Sequence, residues 1–206
     1  MKREMYLEEI KNRILREGGD KVYISADFAD IARIETVNRI LSRLADEGII
    51  RRVLQGIYEC PKYSTFLKEY ISPSADKIAQ AIARKNGWEI IPNEDAALNM
   101  LGLSTQVPAV YIYACDGITK TYEVVGEFNK IKIIFKKTPI KDIKGMSFKT
   151  ALIVQAQKAK GKQNIDDIFI RTVSDKLTPV EKTALLSETK NSTLWIRENM
   201  KKIATY

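Results

Sequence analysis

Apolar residues recur along the chain with two different periods, and the change of period outlines its organisation. Between residues 4 and 17, Tyr6, Leu7, Ile10, Ile14 and Leu15 return every three or four positions. This predicts a first helix that Gly18-Gly19 would end. Val22, Tyr23 and Ile24 read as a short extended link. Ser25 is expected to cap a second, short helix, its hydroxyl accepting the free backbone N–H groups of the first turn, with Phe28 and Ile31 facing the core. Val37, Ile40, Leu41 and Leu44 then fall on one face of a further helix. Its opposite face carries Glu35, Arg39, Ser42 and Asp46, flanked by Thr36, Asn38 and Arg43. Gly48 suits the left-handed position that ends such a helix. Ile50 to Leu54 and Ile57 to Cys60 follow as two short strands around a Gln55-Gly56 turn.

A short helix, a turn, an amphipathic helix and a basic hairpin together spell a winged helix-turn-helix for duplex DNA. Arginine can pair bidentately with guanine and asparagine with adenine in the major groove, so the polar helix face is a plausible reading surface. The residues expected to contact DNA are Thr36, Asn38, Arg39, Ser42 and Arg43 on the helix, with Arg51, Arg52 and Gln55 on the wing. Adjacent residues of a strand point to opposite faces, so only one of Arg51 and Arg52 can face DNA directly. The competing reading is a solvated edge on a protein-interaction module, since folds of this kind also serve that purpose.

Beyond Pro61, residues 63–73 read as a connector in which Tyr63, Phe66 and Tyr70 pack between domains. Ser74 caps a helix over 75–86 with Ile78, Ala79, Ile82 and Ala83 inward, and Gly87 stops it. A short strand or turn at 88–91 precedes a helix over 94–101 closed by Gly102. From Ala109 the period drops to two. Strands are expected at 109–115, 119–125 and 131–135, the first two joined by an Asp116-Gly117 hairpin turn. Helices are expected over 146–159, with Phe148, Leu152, Ile153 and Ala156 inward, and over 165–177, 179–186 and 194–203. The third of these starts at a Thr178 cap with proline in its first turn. The expected class is α+β: a winged helix-turn-helix over 1–62, a connector over 63–73, and an α+β domain over 74–206 with a small antiparallel sheet covered by helices.

Charge adds a partner class. The chain carries 34 Lys and Arg against 26 Asp and Glu, a net +8 that favours a polyanion. Residues 1–62 hold 12 cations against 11 anions, so most of the excess lies beyond the expected DNA reader. Lys130, Lys132, Lys136, Lys137, Lys149 and Lys158 belong to a lysine-rich set that is either a dispersed solubilising surface or a second phosphate-binding one. No apolar run approaches the roughly 20 residues of a membrane helix, and the first ten residues are charged throughout. A cytoplasmic protein with no membrane partner is therefore expected.

The chain contains no histidine, which removes Ser-His-Asp and Cys-His pairs and imidazole metal sites. Neither phosphate-cradling glycine motif is present. Asp166-Asp167 lacks the Gly-Ser turn of a nucleotidyltransferase and suits the start of a helix. Cys60 and Cys115 are expected to be reduced thiols. No catalytic residue, metal or cofactor is expected.

The run Leu41-Ser42-Arg43-Leu44, then Gly48, Arg51-Arg52, Gln55-Gly56-Ile57-Tyr58 and Pro61, resembles the N-terminal signature of AbiEi-type antitoxins. These are the DNA-binding antitoxins of type IV toxin-antitoxin (abortive infection) systems. A second stretch, Ala97-Leu98-Asn99, Leu101-Gly102-Leu103-Ser104, Gln106 and Pro108, resembles the opening of that family's second domain. Gln55 stands where the pattern usually has arginine, and Arg33-Ile34 where a serine or glycine often caps the helix. The resemblance spans about two-thirds of the chain and implies a regulator that represses its own operon. It further implies that the second domain counteracts a nucleotidyltransferase-like toxin without forming a stable complex. The alternatives are a plain winged-helix regulator with a ligand-sensing or dimerising second domain, and a protein or RNA interaction module.

Overall fold

The computed structural model describes residues 2–18, 21–66, 68–71, 74–105, 110–125 and 130–206. The chain is α+β and divides into two compact units, residues 1–87 with 123–131, and residues 88–122 with 132–206.

In the first unit, α1 (Lys2–Glu17) leads through β1 (Val22–Tyr23) to one turn of 3-10 helix at Ser25–Phe28. Then follow α2 (Ile34–Asp46) and the hairpin of β2 (Arg51–Leu54) and β3 (Ile57–Glu59). The three strands form an antiparallel sheet in the order β1-β3-β2, with Val22 opposite Glu59 and Arg52 opposite Tyr58. The expected extended link is thus an edge strand. Ile10, Ile14, Phe28, Val37, Leu41 and Leu44 are fully buried together, so the apolar stripes of α1 and α2 meet as their spacing requires. Gly48 and Gly56 both take left-handed backbone, ending α2 and turning the hairpin.

Two expectations fail in this unit. The second helix is only a four-residue 3-10 turn, and Ser25 does not cap it. The Asp27 carboxylate accepts the Ile24 N–H at 2.9 Å, while the Ser25 hydroxyl is hydrogen-bonded to Asn38. Nor is the stretch after Pro61 a plain connector. It forms a hairpin of β4 (Lys62–Ser64) and β5 (Glu69–Ile71), with the Tyr63 and Tyr70 rings edge to face at 5.3 Å. Phe66 at its turn is 91% exposed, so these aromatics stay in solvent. Ser72 and Pro73 lie outside the described residues.

The expected domain boundary also moves. Helix α3 (Ala75–Asn86) belongs to the first unit, because its last turn is bonded there. The Arg84 guanidinium donates to the Val22 carbonyl at 2.9 Å and to Asp27 at 3.2 Å, and the Lys85 ammonium donates to the Gln55 carbonyl at the wing turn. Ser74 caps α3 and left-handed Gly87 ends it, as expected.

The second unit is built on β6 (Ile90–Pro92), α4 (Asp95–Met100), β7 (Tyr111–Cys115), β8 (Lys120–Val125), β9 (Lys130–Lys137), α5 (Phe148–Lys160), α6 (Asp167–Ser174), α7 (Pro179–Glu188) and α8 (Leu194–Thr205), with residues 123–125 of β8 and 130–131 of β9 grouped with the first. Its sheet is mixed rather than antiparallel. The order is β6-β7-β9-β8, and β7 runs parallel to β9. Asp116-Gly117 therefore does not join paired neighbours. Tyr113, Ala114 and Cys115 are all buried, which demands a central strand covered on both faces, whereas β8 exposes Lys120, Thr121, Glu123 and Val125 and suits an edge. One sheet face, through Ile91 and Ala114, shares a core with Leu152, Ile153 and Ala156 of α5, Phe169 of α6, and Ile196, Met200 and Ile203 of α8. Phe148, expected inward, is 49% exposed at the first position of α5. Thr178 and Glu181 form the capping box that starts α7, and Asp166 caps α6. Among the described residues no helix is long and apolar enough to cross a membrane.

Candidate nucleic-acid interface

The order helix, strand, short turn, helix, hairpin, with its β1-β3-β2 sheet, fits a winged helix-turn-helix in which α2 is the recognition helix and β2–β3 the wing. Because α2 buries Val37, Ile40, Leu41 and Leu44, its other side is left to solvent. The residues expected to contact DNA divide between two edges of that exposed side. Thr36, Arg39 and Arg43 line a groove of about 160 Å3 together with Glu4 and Leu7 of α1. Asn38 and Ser42 line a cleft of about 540 Å3 shared with Arg52 and Gln55 of the wing.

The cations differ in how far they are committed to the protein. Arg39 is exposed and makes no ion pair among the described residues. Arg43 is bonded at 2.7 Å to Glu47, one helical turn on, an exposed pair that a phosphate can replace at little cost. Glu35 and Asp46 share the exposed side, so the face is mixed in sign. On the wing the two arginines separate as strand geometry requires. Arg51 forms an ion pair with Glu59, which is only 2% exposed, and is itself a structural residue. Arg52 points the other way, its guanidinium 5.5 Å from the Tyr58 ring centre and donating to the Ser42 hydroxyl at 2.9 Å. Of the pair, Arg52 is the one that lines the cleft with Asn38, Ser42 and Gln55.

Two further cations enter the same cleft from α3, Arg84 and Lys85. Their sequence did not single them out, because they look like ordinary cations at a helix C-terminus, where the helix dipole favours positive charge. Lys85 meets Gln55 across 30 residues of chain, and no local pattern announces that contact. Arg52, Arg84 and Lys85 thus line a cleft with Asn38, Ser42 and Gln55, and among the described residues no carboxylate lines it. Asp27 nevertheless contacts Arg84 from the side. A concave, cationic wall with amide and hydroxyl donors has the chemistry to hold a phosphodiester backbone between helix and wing.

Burial pushes the Glu59 carboxyl up from its ordinary range against the opposing pull of Arg51. Burial likewise pushes up the Tyr23 hydroxyl and the Cys60 and Cys115 thiols, so both cysteines, which are free, are poor nucleophiles. Among the described residues no three His, Cys, Asp or Glu side chains come together as metal ligands would.

The lysines of the second set do not form one surface. Lys130 pairs with Glu123 at 2.7 Å, Lys136 with Glu94, Lys149 with Glu181 at 3.0 Å, and Lys158 with the buried Asp142. Lys132 and Lys137 are exposed without an ion pair among the described residues, and strand alternation sets them on opposite faces of β9. Lys149 and Lys158 lie toward opposite ends of α5.

No curated protein matches the chain. A family model described as "Family of unknown function (DUF6088)" matches residues 9–185, from within α1 into α7. With most of its length inside that match, the chain belongs to DUF6088.

Proposed function

We propose that this protein is a DNA-binding transcriptional regulator that reads duplex DNA with α2 and grips the backbone with the β2–β3 wing. The observation that carries this reading is the cleft between recognition helix and wing, cationic and, among the described residues, free of carboxylate lining, with Arg39 exposed on the other edge of α2 and making no ion pair among them. Its concave, cationic lining suits the phosphodiester backbone of a duplex. Asn38, Arg39, Ser42 and Arg43 supply donors for base edges or phosphates, and Arg52, Gln55, Arg84 and Lys85 hold the strand that flanks the groove.

The resemblance to AbiEi-type antitoxins narrows the role. In this reading the protein represses its own operon from the cytoplasm, performs no catalysis and needs no cofactor. Its second unit counteracts a nucleotidyltransferase-like toxin without forming a stable complex. Gel-shift titration on the gene's own upstream region tests the DNA step. Arg39→Ala with Arg43→Ala is expected to abolish the shift, and unchanged affinity in that variant removes α2 from the reading. Co-expression with a neighbouring nucleotidyltransferase-like gene tests the antitoxin step, since a plain repressor does not rescue growth.

A further inference from the structure

The second unit carries a concave site of its own where β6 passes into α4. The Asn93 N–H still continues the strand, donating to the Ile112 carbonyl at 2.9 Å. The next residue, Glu94, turns the chain with φ 53° and ψ −130°, backbone that glycine adopts freely and a residue with a Cβ does not. Among the described residues only one other non-glycine, Lys68, has a positive φ. The Asn93 side-chain oxygen accepts the Glu94 N–H at 2.8 Å and steadies the elbow. This strained turn has no obvious use in folding, because glycine would serve it better.

Across from the elbow, α5 contributes Gln155 and Lys158. The Lys158 ammonium is paired with one oxygen of Asp142, a carboxylate almost wholly buried, and the other Asp142 oxygen has no hydrogen-bond partner among the described residues. The Gln155 amide donates to the Asp142 carbonyl at 3.0 Å and ties the same corner together. Between these two walls is a cleft of about 410 Å3, within the size range of small-molecule sites. Asn93, Glu94, Thr138, Gln155 and Lys158 line it, so its two charged side chains are one carboxylate and one ammonium.

Each of these charges has a partner in the protein without being used up. Lys136 engages one oxygen of Glu94 and leaves the second; Asp142 engages one N–H of Lys158 and leaves two. A simple anion entering the cleft would meet Glu94, and a metal ion would meet Lys158. A molecule that carries both charges a few bonds apart satisfies both walls at once. From this juxtaposition of Glu94 and Lys158 across one cleft we propose that the second unit binds a small zwitterion of the α-amino-acid class. Its ammonium would sit on Glu94, its carboxylate on Lys158, and its remaining polar atoms against Asn93 and Thr138. The site does not depend on the DNA-binding reading, and it would make the second unit a sensor.

The test is thermal-shift and calorimetric titration of the full chain with each of the twenty L-amino acids at millimolar concentration, with inorganic phosphate and magnesium chloride as controls. At least one amino acid is expected to raise the melting midpoint saturably. Its N-acetyl and carboxamide derivatives, each lacking one charge, are expected to bind at least about tenfold more weakly, equivalent to about 1.4 kcal/mol. Glu94→Gln and Lys158→Gln are each expected to produce a loss of the same size. Glu94→Gly is the control for folding. It should melt no lower than the parent, since it relieves the left-handed backbone, and yet fail to bind. The proposal is overturned if none of the twenty binds, if the blocked derivatives bind as tightly as the free amino acid, or if phosphate or magnesium alone gives the saturable shift.

Discussion

Replacing Arg51 by alanine strands the Glu59 carboxylate, 2% exposed, without its cation, whereas replacing Arg52 removes a side chain that leans on the surface of Tyr58. Taking one partner from a buried ion pair costs about 3–5 kcal/mol. Arg51 keeps about a third of its side chain in water, and Glu59 has an escape in taking up a proton, so the cost falls at or just below the bottom of that range, about 2–3 kcal/mol. For a unit of this size that lowers the melting midpoint by about 10–20 °C. The loss should shrink as pH falls, because burial raises the Glu59 carboxyl and removing Arg51 takes away the pull that opposes it, so the stranded group takes up a proton more readily in the fold. Arg52→Ala gives up an exposed cation–π contact of about 0.5–1 kcal/mol and a hydrogen bond at the surface, so it should melt within a few degrees of the parent. In DNA binding the order reverses. Arg52→Ala should weaken affinity by about 1–3 kcal/mol and reduce the salt slope by about one, while Arg51→Ala, assayed below its melting range, should bind nearly as the parent does. Calorimetric melts and fluorescence anisotropy on a labelled duplex read the two effects separately. An Arg51→Ala variant with unchanged stability and lost binding, beside an Arg52→Ala variant with the opposite pair of results, would refute the division of the two arginines.

Other outcomes follow from the same contacts. Arg84→Ala with Lys85→Ala should flatten the salt dependence of DNA binding by up to about two in slope with circular dichroism unchanged; full retention of the parent slope would remove α3 from the interface. Leu41→Ala should destabilise the first unit by about 2–5 kcal/mol in urea titration, because the residue is fully buried between α1 and α2, and a loss below 1 kcal/mol would contradict that packing. The Glu59 carboxyl is raised in the folded state, so its contribution is fully present below the unfolded carboxylate pKa and is lost as pH rises through the folded value. Glu59→Gln, which does not titrate, should therefore show a flatter decline of stability than the parent as pH rises above about 4. A steeper decline in the variant would reverse the sign of the burial effect.

What could be seen in the sequence depended on whether a feature is local. The α2 stripe of Val37, Ile40, Leu41 and Leu44 was readable because helical period is set within a few residues, and Gly48 because one backbone position asks for glycine. That Arg51 and Arg52 point apart was equally readable, but which of them faces solvent was decided by Glu59, across the hairpin. Ser25 looked like the cap, yet Asp27 reached the Ile24 N–H. Asp116-Gly117 looked like a hairpin turn, although burial on both faces placed β9 beside β7. Arg84 and Lys85 gave no signal because their contacts are tertiary. Glu94 gave none because a strained glutamate looks like any other until its φ is known.

Whether α2 and the wing bind duplex DNA is tested most directly by the affinity for the gene's own upstream region, measured by anisotropy from 50 to 300 mM salt against a scrambled duplex. With Arg39, Arg43, Arg52, Arg84 and Lys85 as phosphate or base contacts, log affinity should fall with log salt at a slope of about −4 to −5, and the native duplex should be preferred. No measurable association, or a salt-independent affinity equal for both duplexes, would contradict it.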